Sequence, residues 1–362
     1  MTGHERGTPL LAKHKELGAR LTEFGGWDMP LHYSGVIAEH NAVRTSTGIF
    51  DVSHLGKLRL VGDGAGPALQ RALTLDATAL EPGRAKYALV LAEDGGCIDD
   101  VFCYRISDEE WLVVPNAANN AAVTDAIEVA GGSPLDEWDK WAILAVQGPT
   151  SFEIYKRVFP SSGAFDLTLH GWCAQDVGGQ EGMVARTGYT GEKGFELYAP
   201  AATATWAFEA LVEAGAVPVG LGARDTLRLE MGYALYGHEL DRATNPLEAG
   251  LGWALAWDTP FCGREALEAI RARGPARKLF GIVGTGRGVP RQGYEVRRSG
   301  ASGEATGVVV SGNFSPTLGT GIALAFGASE DVPGVGEAVE VAARSRTIEG
   351  TVAKPPFIGK SR

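Results

Sequence analysis

What this chain lacks excludes several functions before any motif is read. Its 362 residues hold only four cysteines, at 97, 103, 173 and 262, with no CxxC pair and no Cys/His spacing suited to zinc or an iron-sulfur cluster. Reduced thiols and a metal-free protein are expected. Positive charge is in deficit, 33 Lys and Arg against 44 Asp and Glu for a net charge of −11, which argues against a nucleic-acid surface. No window approaches 18 uninterrupted apolar residues and the opening MTGHERGTPL has no apolar signal core, so no membrane role and a cytoplasmic location are expected. Phosphate-binding loops are missing as well. GDGAG at 62–66 has the wrong spacing for a dinucleotide fingerprint, and GTGRGVP at 284–290 lacks the Lys-Ser/Thr ending of a phosphate loop.

What is present is a globular composition, 44% hydrophobic and 21% charged with 50 glycines, in a chain long enough for two or three domains. The most informative stretch is YALVLAEDGGCIDDVFCYRI, residues 87–106, two alternating runs around a Glu-Asp-Gly-Gly turn. The two-residue period of a strand puts Asp100 in phase with Ile98, Phe102, Tyr104 and Ile106, and Asp99 in phase with Cys97, Val101, Cys103 and Arg105. A carboxylate on the greasier face costs several kcal/mol if unpaired, so Asp100 must find a partner or face a cavity. The alternative is a turn-flanking acid in solvent, and Asp99 is expected to be that kind of polar residue on the opposite face.

Around the hairpin the chain reads as mixed α and β. Residues 8–21 predict a helix with Lys13 and His14 solvated, 24–35 an irregular loop, and Asp63 the cap of the next helix. His54, beside Asp51 and Ser53, reads as a hydrogen-bonded structural histidine. In VPNAANN, Asn119 or Asn120 is the expected helix cap, which leaves Asn116 as a ligand group. After an acidic linker at 134–140 the strand-helix rhythm repeats. In GFELY, Phe195 and Leu197 share one strand face, and Glu196 points with Tyr198 to the other, toward either a site or solvent. Residues 221–231 form a helix with Arg224 and Arg228 one turn apart, able to receive a carboxylate or phosphate, or to pair with Asp225 or Glu230. Beyond the boundary at 272–278, six short β runs predict a small barrel or sandwich of about eighty residues. The expected domains are 1–138, 139–272 and 273–362.

Asp100, Glu196, Asn116, Tyr87, Tyr189 and Arg224 would together suit a pterin-like ring, since carboxylates accept paired N–H donors, aromatics cover its faces and arginine holds a carboxylate tail. Spacing alone takes the reading no further than a small-molecule enzyme without a metal.

The runs GIFDVSHLGK, YALVLAEDGGCIDD, VPNAAN, RTGYTGEKGFE, GLGARDTLRLE with LYG, and SGNFSPTLGTGIALA resemble the T-protein family of the glycine cleavage system, over residues 8–357. The resemblance implies three domains around a central channel, two of them mixed α/β and the last β-rich. It implies a tetrahydrofolate-dependent aminomethyltransferase whose partner is the lipoylated H-protein, with ammonia and 5,10-methylenetetrahydrofolate as products. It places the family's essential aspartate on Asp100 and its pterin-contacting glutamate on Glu196. Tyr87, Tyr189 and Arg224 match further folate contacts, Tyr233 would line the channel, and Leu55 stands where many members carry methionine, a change of similar volume. Where members often have a basic residue after Pro-Phe, Phe357 is followed by Ile358 and Gly359, leaving Lys354 and Lys360 as the alternatives. Folate-dependent demethylases of sulfonium or methoxy compounds, and a non-catalytic folate-binding branch linked to iron-sulfur maintenance, share the fold and are the competing functions.

Overall fold

The computed structural model describes residues 6–300, 305–343 and 346–359, so Lys360 lies outside the described residues. Two sheets face each other, the first antiparallel and the second antiparallel except for its parallel edge strand Val217–Pro218. The first has the strand order Arg84–Leu91, Cys97–Arg105, Glu110–Val114, Leu58–Val61, Leu135–Asp136. Helices Ala65–Ala72 and Asn120–Val129 cover one face of it over a core of Leu58, Leu69, Val90, Val101, Trp111 and Ile127. The second sheet runs Trp172–Val177, Gln180–Ala185, Gly194–Pro200, Trp141–Gln147, Gly48–Asp51, Val217–Pro218. Helices Ser151–Val158 and Ala204–Glu213 close its outer face around Phe195, Leu197 and Phe208. The strand Gly48–Asp51 pairs with Trp141–Gln147, so the expected boundary near 138 is crossed by an early strand that joins the later sheet.

The inner faces of both sheets meet in one middle layer, where Tyr104 and Val114 pack with Ile143, Tyr198, Ala223 and Leu227. Tyr198 donates its hydroxyl to that of Tyr104 at 3.0 Å, a bond from sheet to sheet. The helix Leu221–Glu230 fits against this layer and against the third unit. That unit is a closed six-stranded barrel over 277–353, which settles the expected barrel or sandwich as a barrel. The mixed α and β architecture is as expected.

Glu230 ties the pieces together. Its buried carboxylate accepts hydrogen bonds from Arg44 of helix Val36–Thr45 and from Ser315 and Thr317 of the barrel, and lies 3.3 Å from His40. Burial alone would raise its pKa, but the bonds from His40 and Ser315 and the Arg44 charge outweigh it and bring the carboxyl down to about 2.

Several local expectations need correction. The N-terminal helix covers only Leu11–Glu16, and its His14 is fully buried, bonded to Asp51 at 2.8 Å and to the Tyr33 hydroxyl, because Asp51 sits on an interior strand and needs donors. The expected loop at 24–35 is largely a hairpin, Arg20–Phe24 with Trp27–His32, turning at Gly25-Gly26. The helix Ala65–Ala72 starts at Gly64 with no side-chain cap, so Asp63 does not cap it. The acidic linker contains the edge strand Leu135–Asp136, and Trp138 packs on Trp27 with ring centroids 5.3 Å apart. His54 is buried but its Nδ1 has no hydrogen-bond partner, and burial together with the Arg224 charge pushes its pKa down to about 3.

Candidate active site

The hairpin folds as Arg84–Leu91 against Cys97–Arg105, with one irregularity the periodicity does not reveal. Leu91 pairs with Cys97 but Val90 pairs with Asp99, so Ile98 is the extra residue of a β-bulge. The bulge moves Cys97 to the side of Leu89 and Leu91, and Ile98 to the side of Val90 and Val101. Asp100 stays opposite Leu89 and in phase with Phe102 and Tyr104, facing the middle layer as expected, although Ile98 leaves that face. The turn is held close to the rest of the molecule. Gly95 has φ +87°, and a Cβ on Gly96 would sit 2.1 Å from the carbonyl oxygen of Arg242.

Asp100 is held at both oxygens. The Tyr87 hydroxyl donates to Oδ2 at 3.0 Å and the Asn116 carboxamide to Oδ1 at 3.0 Å. Burial pushes its carboxyl above the ordinary range, the Tyr87 and Asn116 bonds act against that, and the Glu239 charge adds to it. Asp99 is no solvent residue: it is fully buried, accepting from Asn116 and from Asn119. Burial and then the Asp100 charge raise its carboxyl to about 7. The asparagines are therefore spent on the two acids. Asn119 caps no helix because its amide is drawn to the buried Asp99 carboxylate, and the Asn120 side chain caps none either, its amide donating to Asp136.

Glu196 shares its strand face with Tyr198, as expected, and only 9% of its surface is exposed. Thr187 donates its hydroxyl to the Glu196 carboxylate, and burial raises the pKa of this acid while the Arg224 charge lowers it. Arg224 lies over the ring of Tyr189 at 4.7 Å. It forms no ion pair among the described residues, whereas Arg228 is consumed by Asp225 and Glu239, so of the paired arginines only one is left for a ligand. Tyr189 donates its hydroxyl to the carbonyl of Ala234 and stacks on Tyr233 at 5.7 Å between centroids. Burial raises the pKa of its phenol, the Asp100 charge adds to that and the Arg228 and Arg224 charges oppose it. Leu55 packs at the edge of the middle layer.

Direct contacts thus join Tyr87, Asp100 and Asn116 into one group and Arg224, Tyr189 and Tyr233 into another, and the Arg224 charge acts on Glu196. Sequence reasoning missed several members. Trp253 stacks on Tyr87 at 5.5 Å while 70% exposed, a solvent-facing extension of the aromatic wall. Glu239 pairs with Arg228 through Oε2 and keeps a buried Oε1 with no partner. Thr187 and Asn119 act through hydrogen bonds whose partners are remote in sequence. An alternating pattern carries no signal for such bonds.

The chain matches the GCVT N-terminal domain model over residues 10–259 and the glycine cleavage T-protein C-terminal barrel domain model over 277–358. The chain belongs to the glycine cleavage T-protein family. Curated relatives in this family include the aminomethyltransferase of Mycobacterium leprae, 45% identical over 97% of this chain and 96% of its own length. That of Herpetosiphon aurantiacus is 42% identical over 97% of each. The crystal structure of the glycine cleavage system aminomethyltransferase T from Bartonella henselae superimposes with a TM-score of 0.92 at 30% identity, covering 99% of both chains. The chain is accordingly a transferase-class enzyme of the T-protein family, and its barrel is the family's C-terminal domain.

Proposed function

We propose that this chain moves the one-carbon unit of an aminomethyl group, carried on the lipoyl arm of the H-protein, to tetrahydrofolate with release of ammonia. The observation that carries this reading is the Asp100 carboxylate, held at one oxygen by Tyr87 and at the other by Asn116 on the strand face that carries Phe102 and Tyr104 into the middle layer. The residues suit a reduced folate: carboxylates for the pterin N–H groups, tyrosine faces for its rings, and an arginine without a carboxylate partner for its acidic tail. The cytoplasm is the proposed compartment, and none of the described helices is long and apolar enough to cross a membrane.

When bound, tetrahydrofolate would supply two N–H nitrogens that take the carbon in turn, while the carbon's bonds to the amino nitrogen and to the lipoyl sulfur break, the two folate protons ending on ammonia and on the lipoyl thiol. Asp100 receives the folate nitrogen's proton and sets its negative charge beside the carbon as that carbon becomes electron-poor. Its raised affinity for protons suits a group that must take one up near neutrality. Tyr87 and Asn116 hold the carboxylate in one orientation, while Glu196 and Arg224 fix the folate at two separated points.

The test is ammonia release from aminomethyl-loaded, lipoylated H-protein, with and without tetrahydrofolate. Folate-dependent release supports the proposal. Folate-dependent demethylation of a sulfonium or methoxy compound without H-protein turnover would overturn it in favour of a demethylase. Folate affinity with no turnover would point to the binding branch.

A further inference from the structure

Asp99 takes no part in the reaction as described, yet the corner after strand Glu110–Val114 is built around it. Its Oδ2 accepts the backbone N–H of Asn116 at 2.9 Å, and its Oδ1 accepts the carboxamides of Asn116 at 2.8 Å and Asn119 at 2.7 Å. The same carboxamide nitrogen of Asn116 donates to Asp100 Oδ1 at 3.0 Å. It also lies 3.2 Å from the backbone carbonyl oxygen of Asp100, so one planar amide, with two hydrogens, bridges the two carboxylates and the main chain between them. It can do so only with its nitrogen end toward the acids, since turned over it would set a carbonyl oxygen against both of them.

We propose that Asp99 is a positioning residue for Asp100, acting through Asn116: its carboxylate fixes the end of the amide that faces the site, and so keeps a donor on Asp100 Oδ1. The inference rests on Asp100 being the catalytic carboxylate. Without that donor Asp100 keeps only the Tyr87 bond at Oδ2 and is free to turn about its last torsion. Once Asp99 takes up a proton it no longer specifies the amide, because a carboxylic acid can donate to a turned carbonyl as well as accept from the nitrogen. The titratable groups facing Asp99 are Asp100 and Cys97 of its own strand and Tyr236 of the loop after helix Leu221–Glu230, while the 116–119 corner presents two uncharged amides. Among these groups there is no cation to hold the charge on Asp99. The orientation is therefore lost on the acid side.

Asp99→Asn in the full-length chain tests this, assayed with lipoylated H-protein and tetrahydrofolate. Asparagine keeps the shape but exchanges one accepting oxygen for an NH2 group, so it cannot accept all three bonds. The expected result is a kcat for ammonia release lower by about 10- to 100-fold, folate affinity within about 2-fold, and an acid limb of the kcat profile moved to lower pH, where only the titration of Asp100 itself remains. In an Asn116→Ala background the same substitution is expected to add less than about 2-fold, because the relay is already cut. Asn119→Ala removes a donor from Asp99 alone and should shift the acid limb to higher pH, which keeps the proposal testable if Asp99→Asn fails to fold. A purely structural Asp99 would lower Tm but leave the kcat profile in place, and that result overturns the proposal. An active wild-type chain with unaffected variants refutes this inference alone. An inactive wild-type chain refutes the proposed function, and this inference with it.

Discussion

Replacing Asp100 by asparagine separates charge from shape at the centre of the site. Asp100 makes one hydrogen bond per oxygen, from Tyr87 and from Asn116. Asparagine can keep both: its oxygen accepts from Asn116 while its NH2 group donates to the Tyr87 hydroxyl, which is able to accept. The fold should barely change. Stability is expected within about 1 kcal/mol of wild type, and not necessarily lower, since a buried charge beside Asp99 is removed. What disappears is the proton acceptor and the negative charge next to a carbon that becomes electron-poor. Together these account for about 3 to 5 kcal/mol of barrier, so kcat for ammonia release should fall by about 10² to 10⁴-fold, with folate affinity changed far less. Calorimetry of folate binding and a thermal melt complete the measurement. A kcat within about 5-fold of wild type refutes the role of Asp100, and a Tm drop that accounts for the lost activity refutes the separation of charge from shape.

Arg224→Ala should act mainly on binding: losing a charge-assisted contact worth about 1.5 to 3 kcal/mol raises the folate Kd by about 10- to 150-fold, and an unchanged Kd by calorimetry contradicts it. Stability should depend on acid through Glu230 and Asp51, both held near pKa 2 against ordinary values of 4.5 and 3.8. A lowered folded pKa gives stability that is present above the ordinary value and lost as pH falls through about 2, so urea midpoints should drop below about pH 4.5. Glu230→Gln should flatten that limb and cost about 1.5 to 3 kcal/mol at neutral pH, the charge-assisted bonds from Arg44 being weakened while Arg44 keeps Glu192 as its other carboxylate partner; an unaltered limb refutes this. For Gly96→Ala, the close approach of the Arg242 carbonyl predicts a loss of about 1 to 3 kcal/mol by denaturant titration, and a neutral result would mean that the 241–244 loop yields freely.

Alternation and turn chemistry are enough to read the hairpin, the strand face that Glu196 shares with Tyr198 and the six barrel strands, because each is decided within a few residues of sequence. The bulge at Ile98 was not readable, since its evidence is a register with the partner strand. His14 was misjudged for a related reason: nothing near it in sequence announces that Asp51, 37 positions on, needs a buried donor. Local helix-capping rules make Asn119 a cap candidate, yet in the fold it serves Asp99, where burial makes the competing acceptor stronger. Asp100 was legible twice, from its strand face and from family motifs. Asp99 was not, because a polar residue opposite a catalytic one reads as solvated until its partners are seen.

The Glu230 junction bears on the order in which the chain is made. Translation delivers Arg44 first, then Glu230 with the helix that carries Arg224, and Ser315 and Thr317 only near the end. Until those last hydroxyls arrive, the carboxylate has only part of its set of donors, and the Arg224 helix has no barrel to rest on. A chain that ends short of the barrel would therefore leave the Arg224 helix without the Ser315 and Thr317 bonds to its Glu230.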